Sequence, residues 1–263
     1  MMDLGITGKK ALVNGGSAGL GRGAALALAR EKTELFITAR GEERLMTVCE
    51  KLVRETGANI TPIVADHSSD EGREKILSIC PDPDILVATC SPPPFSGDFR
   101  TVDRADWEQA LSLTLLSPVE FIKAVIDGMV ERKWGRIVNI ATGAAKYPAA
   151  MRVLSGPPRA ALVNYTVAVA KQVARHGVTI NNILPGMHHT PGIRDMFDSQ
   201  AEANGTSYDE EVAKFVKQVR IPVGRFGDAE DMGMFVAMFC SEMAGYATGQ
   251  SLVVDGGMGN SIF

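Results

Sequence analysis

The residues best suited to chemistry fall into two groups. The first is a set of glycines near the start, Gly15, Gly19 and Gly21, with Ser17 and Leu20 between them. Glycine tolerates positive φ and lets a ligand approach the backbone closely. Placed ahead of a helix, whose first N–H groups are unpaired and whose dipole end is positive, this spacing suits a pyrophosphate. The plain alternative is a tight turn that binds nothing. The second group comes later: Thr142 and Lys146, Ser155 and Arg159, then His188 and His189. A hydroxyl holds a carbonyl or alcohol oxygen. A guanidinium or ammonium stabilises an oxyanion, and imidazole titrates where acid–base work at neutral pH needs it. Lys146 becomes a base only if burial or a neighbouring cation lowers its pKa. The plain alternatives are a solvated loop lysine, a Tyr147 packed on Pro148, and histidines bonded to backbone.

These residues need elements to position them. Apolar runs of strand length recur at Ala11–Val13, Leu35–Thr38, Ile60–Ala65, Ile85–Ala88, Arg136–Ile140, Thr179–Leu184 and Leu252–Val254. Amphipathic helical patterns lie between them at Ala24–Ala29, Glu42–Glu55, Asp106–Glu131 and Pro158–Arg175. Alternating strands and helices predict a parallel sheet covered on both faces. The glycines then occupy the first strand-to-helix turn. Between Leu184 and Leu252 no strand pattern appears, while Val212, Phe215, Val216 and Val219 recur at helical spacing. An excursion there, about 187–222, is predicted to be a helical lid on one domain spanning 1–263. Asp103, Asp106 and Glu108 read as helix capping, and the late methionines Met232, Met234, Met238 and Met243 as core or subunit-face fill.

The chain has 263 residues, 45% of them hydrophobic, and a net charge of −4, which speaks against nucleic acid as a partner. Cys49, Cys80, Cys90 and Cys240 are scattered with no metal-ligand or disulfide spacing, so no metal is expected. No apolar run is long enough for a membrane span. The expectation is a soluble, cytoplasmic protein acting on a small molecule.

Several of these stretches together resemble the short-chain dehydrogenase/reductase family. Asn14–Gly21 looks like its glycine motif with Asn for Thr, and Asp66, followed by His67, like its adenine-side aspartate. Gly135–Ile140 is similar to the strand before the catalytic serine. Pro185-Gly186 with Thr190 is similar to the segment beside the nicotinamide, and Asp255-Gly-Gly257 to the closing turn. The resemblance implies a seven-stranded Rossmann fold, usually as a homotetramer or homodimer, with a dinucleotide held by Gly15, Ser17, Gly19, Leu20, Gly21, Asp66, His67, Ala88, Arg159, Pro185, Gly186 and Thr190. At the end of the second strand Arg40 stands where NAD binders carry an acid. Arg pairs with a 2′-phosphate and an acid repels it, which favours NADP over NAD.

The catalytic positions depart from the family. Thr142 stands for Ser, Ser155 for Tyr, Arg159 for Lys and Thr114 for the helix Asn, in a register fixed by Ala160–Tyr165. An aliphatic hydroxyl is a far weaker acid than a phenol, and a guanidinium does not relay protons. A divergent ketoacyl-reductase-like subgroup resembles this chain in its Ser and Arg, in Lys146, and in a proline run like Pro92–Pro94. Three functions follow as expectations: an NADP-dependent oxidoreductase with a non-standard centre (Thr142, Ser155, Arg159, Lys146, His188), a non-redox lyase or isomerase on the same scaffold, and a silent NADP(H)-binding protein.

Overall fold

The computed structural model describes residues 3–259. Seven strands form one parallel sheet: β1 (Lys10–Asn14), β2 (Glu34–Ala39), β3 (Ile60–Val64), β4 (Ile85–Ala88), β5 (Gly135–Ile140), β6 (Val178–Pro185) and β7 (Ser251–Val254), ordered 3-2-1-4-5-6-7. All seven coincide with the predicted runs to within two residues at either end. Strands β4, β5 and β6 are buried along their whole length, the signature of a parallel sheet with helices on both faces.

Alternation along β1 shows how the core divides. Ala11 and Val13 face one side, packing with Ile37 and with α1 (Gly19–Arg30) and α2 (Glu42–Thr56) through residues such as Leu28 and Leu45. Leu12 faces the other, with Phe36, Leu86 and Ile137, against α3 (Asp70–Ile79) and the later helices. The run predicted as one helix over Asp106–Glu131 is α4 (Arg104–Leu111) and α5 (Ser117–Glu131), joined without a break in direction by a π turn at Ser112–Leu116. Pro118 has no N–H to continue the ladder, and Thr114 Oγ1 bonds back to the Ala110 carbonyl at 2.6 Å. Asp103 and Asp106 form a capping box at the start of α4.

Helix α6 (Gly156–Val173) follows β5 after two short 3-10 turns. The strandless excursion after β6 contains two helices, α7 (Pro191–Asn204) and α8 (Tyr208–Val219), separated at Gly205 with φ +64°. They close on their own small core, in which Phe197 meets Phe215 and Phe226 edge-on at 5.5 and 5.4 Å. Helix α9 (Ala229–Cys240) crosses α1 where Gly23 and Gly233 oppose each other, and a Cβ on either would collide with backbone. Met232 is fully buried in that contact, while Met234 and Met238 face outward. No helix among the described residues is long and apolar enough to cross a membrane.

Candidate active site

Every loop at the carboxyl end of β1 to β6 opens onto one cleft of about 410 Å³. The sheet order reverses between β1 and β4, and a cleft at that switch point is where open α/β sheets hold ligands. At its floor Gly15 (φ +68°) and Gly19 (φ +49°) adopt conformations that favour glycine. A Cβ on Gly15 would lie 2.9 Å from the Thr89 carbonyl, and one on Gly21 would collide with the Gly15 carbonyl. The turn therefore keeps its N–H groups at the α1 start open to the cleft. Asn14, standing where the family has Thr, accepts a hydrogen bond from Thr38 Oγ1 at 3.2 Å and so ties β1 to β2 beneath it.

One end of the cleft carries Arg40, Arg44, Asp66 and His67. Arg40 is exposed and lies 3.9 Å from the Asp66 carboxylate. Burial would raise the Asp66 pKa, but hydrogen bonds from the Ser68 side chain and backbone, with the Arg40 charge, hold it below the usual carboxylate value. His67 is buried, its Nδ1 2.8 Å from Ser117 Oγ, and desolvation lowers its pKa.

At the other end Arg159 folds back over the first turn of α6. Its Nη1 donates to Ser155 Oγ at 2.8 Å, and its Nη2 to Cys90 Sγ at 3.2 Å. Both residues are buried, Ser155 at 2% and Arg159 at 4% exposure, yet both border the cleft. Serine leaves the room into which the guanidinium turns. Thr142 borders the same cleft just after β5, its Oγ1 accepting from the Ala144 N–H at 3.3 Å, which leaves its own O–H to donate. His188 also reaches the cleft. Its Nδ1 lies 3.3 Å from the Gly186 carbonyl, its ring packs on Gly227, and burial lowers its pKa.

Thus Gly15, Ser17, Gly19, Leu20, Gly21, Arg40, Asp66, His67, Thr142, Ser155, Arg159, Pro185, Gly186, His188 and Thr190 all border one cavity. Three candidate residues named from sequence do not. Lys146 is exposed beyond the Gly143–Ala145 turn, its Nζ 5.7 Å from the Tyr147 ring centre. Ala88 is packed inside the sheet at the end of β4, and Thr89 takes its place at the glycine turn. His189 bonds Tyr208 at 2.7 Å and faces a separate outer hollow with Arg22 and Arg194. Arg44, Leu113 and Arg152 border the cleft and carry no spacing signal in the sequence. Arg152 in particular sits in a short 3-10 turn that no periodicity marks. Among the described residues no group of three or more His, Cys, Asp or Glu is placed to hold a metal.

Comparison with known proteins gives this geometry a context. The sequence model of the family described as enoyl-(acyl carrier protein) reductase matches residues 15–259. The chain is 31% identical over 260 residues to the 3-oxoacyl-(acyl-carrier-protein) reductase of Escherichia coli, covering 95% of this chain and 97% of that one. It is 29% identical over 263 residues to the corresponding reductase of Aquifex aeolicus, covering 98% and 100%. Its backbone superposes on L-sorbose reductase of Gluconobacter frateurii, solved with NADPH and L-sorbose, with a TM-score of 0.95 at 25% identity, over 99% of this chain and all of the other. Actinorhodin polyketide ketoreductase with NADPH gives 0.85 at 28% identity, over 95% and 97%. With the sheet order, the glycine turn and these matches in agreement, the chain belongs to the short-chain dehydrogenase/reductase family.

Proposed function

We propose that this chain is an NADP-dependent oxidoreductase that interconverts a carbonyl and a secondary alcohol at a centre built from Thr142, Ser155 and Arg159. The observation that carries the reading is the single cleft running from the glycine turn to the Ser155–Arg159 pair. The residues present fit the dinucleotide. Gly15, Gly19 and Gly21 leave room for a pyrophosphate at the α1 start. Arg40 and Arg44 offer the 2′-phosphate two cations where an NAD binder would present an acid. The related reductases solved with NADPH support the same choice.

Bound NADPH supplies the hydride, and the remaining tasks fall to the chain. Thr142 donates its O–H to the substrate oxygen. Ser155, whose oxygen is occupied by Arg159 Nη1, donates a second hydrogen bond from its own O–H. The Arg159 charge stabilises the oxyanion that forms. Because neither hydroxyl is acidic enough to be the net proton source, Ser155 passes its proton to the substrate oxygen as it regains one from solvent, so one solvent proton is consumed per hydride transferred. Helices α7 and α8, with Met187 and Ile193 facing the cleft, form the lid of the single domain. The exposed apolar row Met234, Met238, Met243 and Tyr246 on and after α9 pairs with a second copy in a homodimer or homotetramer.

The test is loss of NADPH absorbance with a panel of ketones. Cofactor binding without turnover on any of them overturns the redox reading. One observation favours a second reading: no tyrosine or lysine borders the cleft. A carbon–carbon lyase or isomerase needs an oxyanion stabilised by Arg159 and no phenolic acid. Product formed with no net change in NADPH would establish that reading instead.

A further inference from the structure

Among the described residues four arginines face the cleft and one carboxylate does. Arg40 and Arg44 share one end with Asp66, and the cofactor reading uses them. Arg152 and Arg159 border the substrate end, where none of the described residues is an acid. Arg159 is 4% exposed and its hydrogen-bond acceptors are Ser155 Oγ, the Ser155 carbonyl and Cys90 Sγ, none of them a carboxylate. Among the described residues neither arginine belongs to any ion pair. The chain as a whole carries a charge of −4, so this local excess does not reflect general basicity. Holding cations away from water without counter-charge is costly unless a ligand supplies the opposite charge.

Arg152 is also fixed in place. Its guanidinium lies 3.6 Å over the Phe95 ring. The Ser96 N–H donates to the Met151 carbonyl at 3.1 Å, tying the proline run Pro92–Pro94 and its sequel to the turn that bears Arg152. This gives that run a task the sequence alone left unassigned. Burial and the charge of Arg159 push Arg152 down to about 10, so it remains a cation at neutral pH. The positive end of the α6 dipole lies beside Ser155 and Arg159 and adds to the same field.

We propose that the substrate is itself an acid, carrying a carboxylate or phosphate that Arg152 and Arg159 receive beside the reacting carbon. The identity of that carbon rests on the reductase reading; the anion site does not. Met187 and Ile193 border the cleft nearby, which suits an acid with a short apolar body. An ester or other uncharged counterpart leaves both cations unpaired and binds poorly.

The experiment is a calorimetric titration of the NADP-loaded protein with acetoacetate, malonate and inorganic phosphate, and with methyl acetoacetate as the uncharged partner. At least one anion binds with Kd below about 10 mM, and acetoacetate binds at least about tenfold more tightly than its ester. Which anion binds tightest separates a carboxylate from a phosphate substrate. Arg152→Gln weakens the anion roughly 10- to 100-fold, Arg152→Lys less so, and Arg100→Gln, an exposed arginine paired with Asp98, has no effect. Absence of any anion binding, equal affinity for acid and ester, or wild-type affinity in Arg152→Gln overturns the proposal. Cofactor affinity is measured separately, and the titration is repeated on unloaded protein. Failure to bind NADP therefore counts against the reductase reading and leaves the anion site to be judged by its own titration.

Discussion

Arg159 Nη1 donates to Ser155 Oγ at 2.8 Å, one helical turn back along α6, so that guanidinium and hydroxyl face the cleft as a unit. A unit of this kind predicts unequal losses. Arg159→Met removes the charge proposed to hold the oxyanion and is expected to lower kcat about 100- to 1,000-fold. Ser155→Ala removes one donor while leaving the charge, and lowers kcat by about tenfold. Steady-state rates with the best ketone of the panel check both, and a double variant no worse than Arg159→Met alone would show the two acting together.

The same substitution has an opposite effect on stability. Arg159 is buried with no carboxylate among its hydrogen-bond partners, so replacing it by methionine relieves a desolvated charge and fills similar space. Arg159→Met is expected to raise the melting temperature by about 2–4 °C, in the manner of a functional residue held at the expense of stability. Differential scanning calorimetry of the unliganded protein reads the sign directly.

Arg40 is exposed, 3.9 Å from Asp66, so the proposed pairing with a 2′-phosphate would be screened by solvent. Arg40→Ala therefore raises the Kd for NADPH by about tenfold, the effect of one charge-assisted contact. Affinity for NADH stays where it was. Quenching or enhancement of dinucleotide fluorescence on titration measures the two in parallel.

Acid lowers stability through two buried imidazoles. Desolvation depresses the pKa of His67, against the raising effect of Asp66, and that of His188, against the bond to the Gly186 carbonyl. Their folded values lie below the ordinary value of about 6.5. The unfolded chain thus binds more protons across that interval. The stability contributed by the neutral rings is complete above about pH 6.5 and is lost as pH falls through that value toward the lowered ones. Denaturant midpoints from about pH 7.5 to about pH 5 should fall, and fall less in His188→Gln.

Where α1 and α9 cross, Gly23 and Gly233 allow backbone to meet backbone. Gly233→Ala forces the helices apart and costs about 1–3 kcal/mol, or about 2–12 °C in melting temperature. Met234→Lys on the outer face of the same helix leaves the fold alone. It shifts the sedimentation coefficient toward a single chain if that face pairs with a second copy.

The fold was legible because parallel strands buried on both faces tend to read as continuous apolar runs, as Leu35–Ile37 and Ile85–Ala88 do. The glycine turn was legible because Gly15, Gly19 and Gly21 each answer a backbone constraint that only glycine meets. Helix α3 has a charged face and a short apolar one, and it escaped notice. The Met-rich α9 read only as filling because nearly every position is apolar and no period stands out. At the active site, Thr142, Ser155 and Arg159 could be placed by counting along a familiar pattern. Arg152 could not: its role comes from Phe95 and from Ser96, residues far along the chain that only folding brings beneath and beside it. Lys146 attracted attention by its type, but the tight turn at Gly143–Ala145 carries it out to solvent.

The π turn at Ser112–Leu116 accommodates one residue more than a regular helical turn, which offsets α5 from α4 by about 100° of phase. The two halves therefore obey different masters: α5 lays Phe121, Val125 and Met129 against the sheet, while Leu113 in the wide turn looks into the cleft. Removing a single residue from that turn would reset the phase of the whole segment, swinging one wall of the cleft away and leaving the helix intact. In this part of the molecule the shape of the site is set by how many residues the helix spends on one revolution, independently of which side chains they carry.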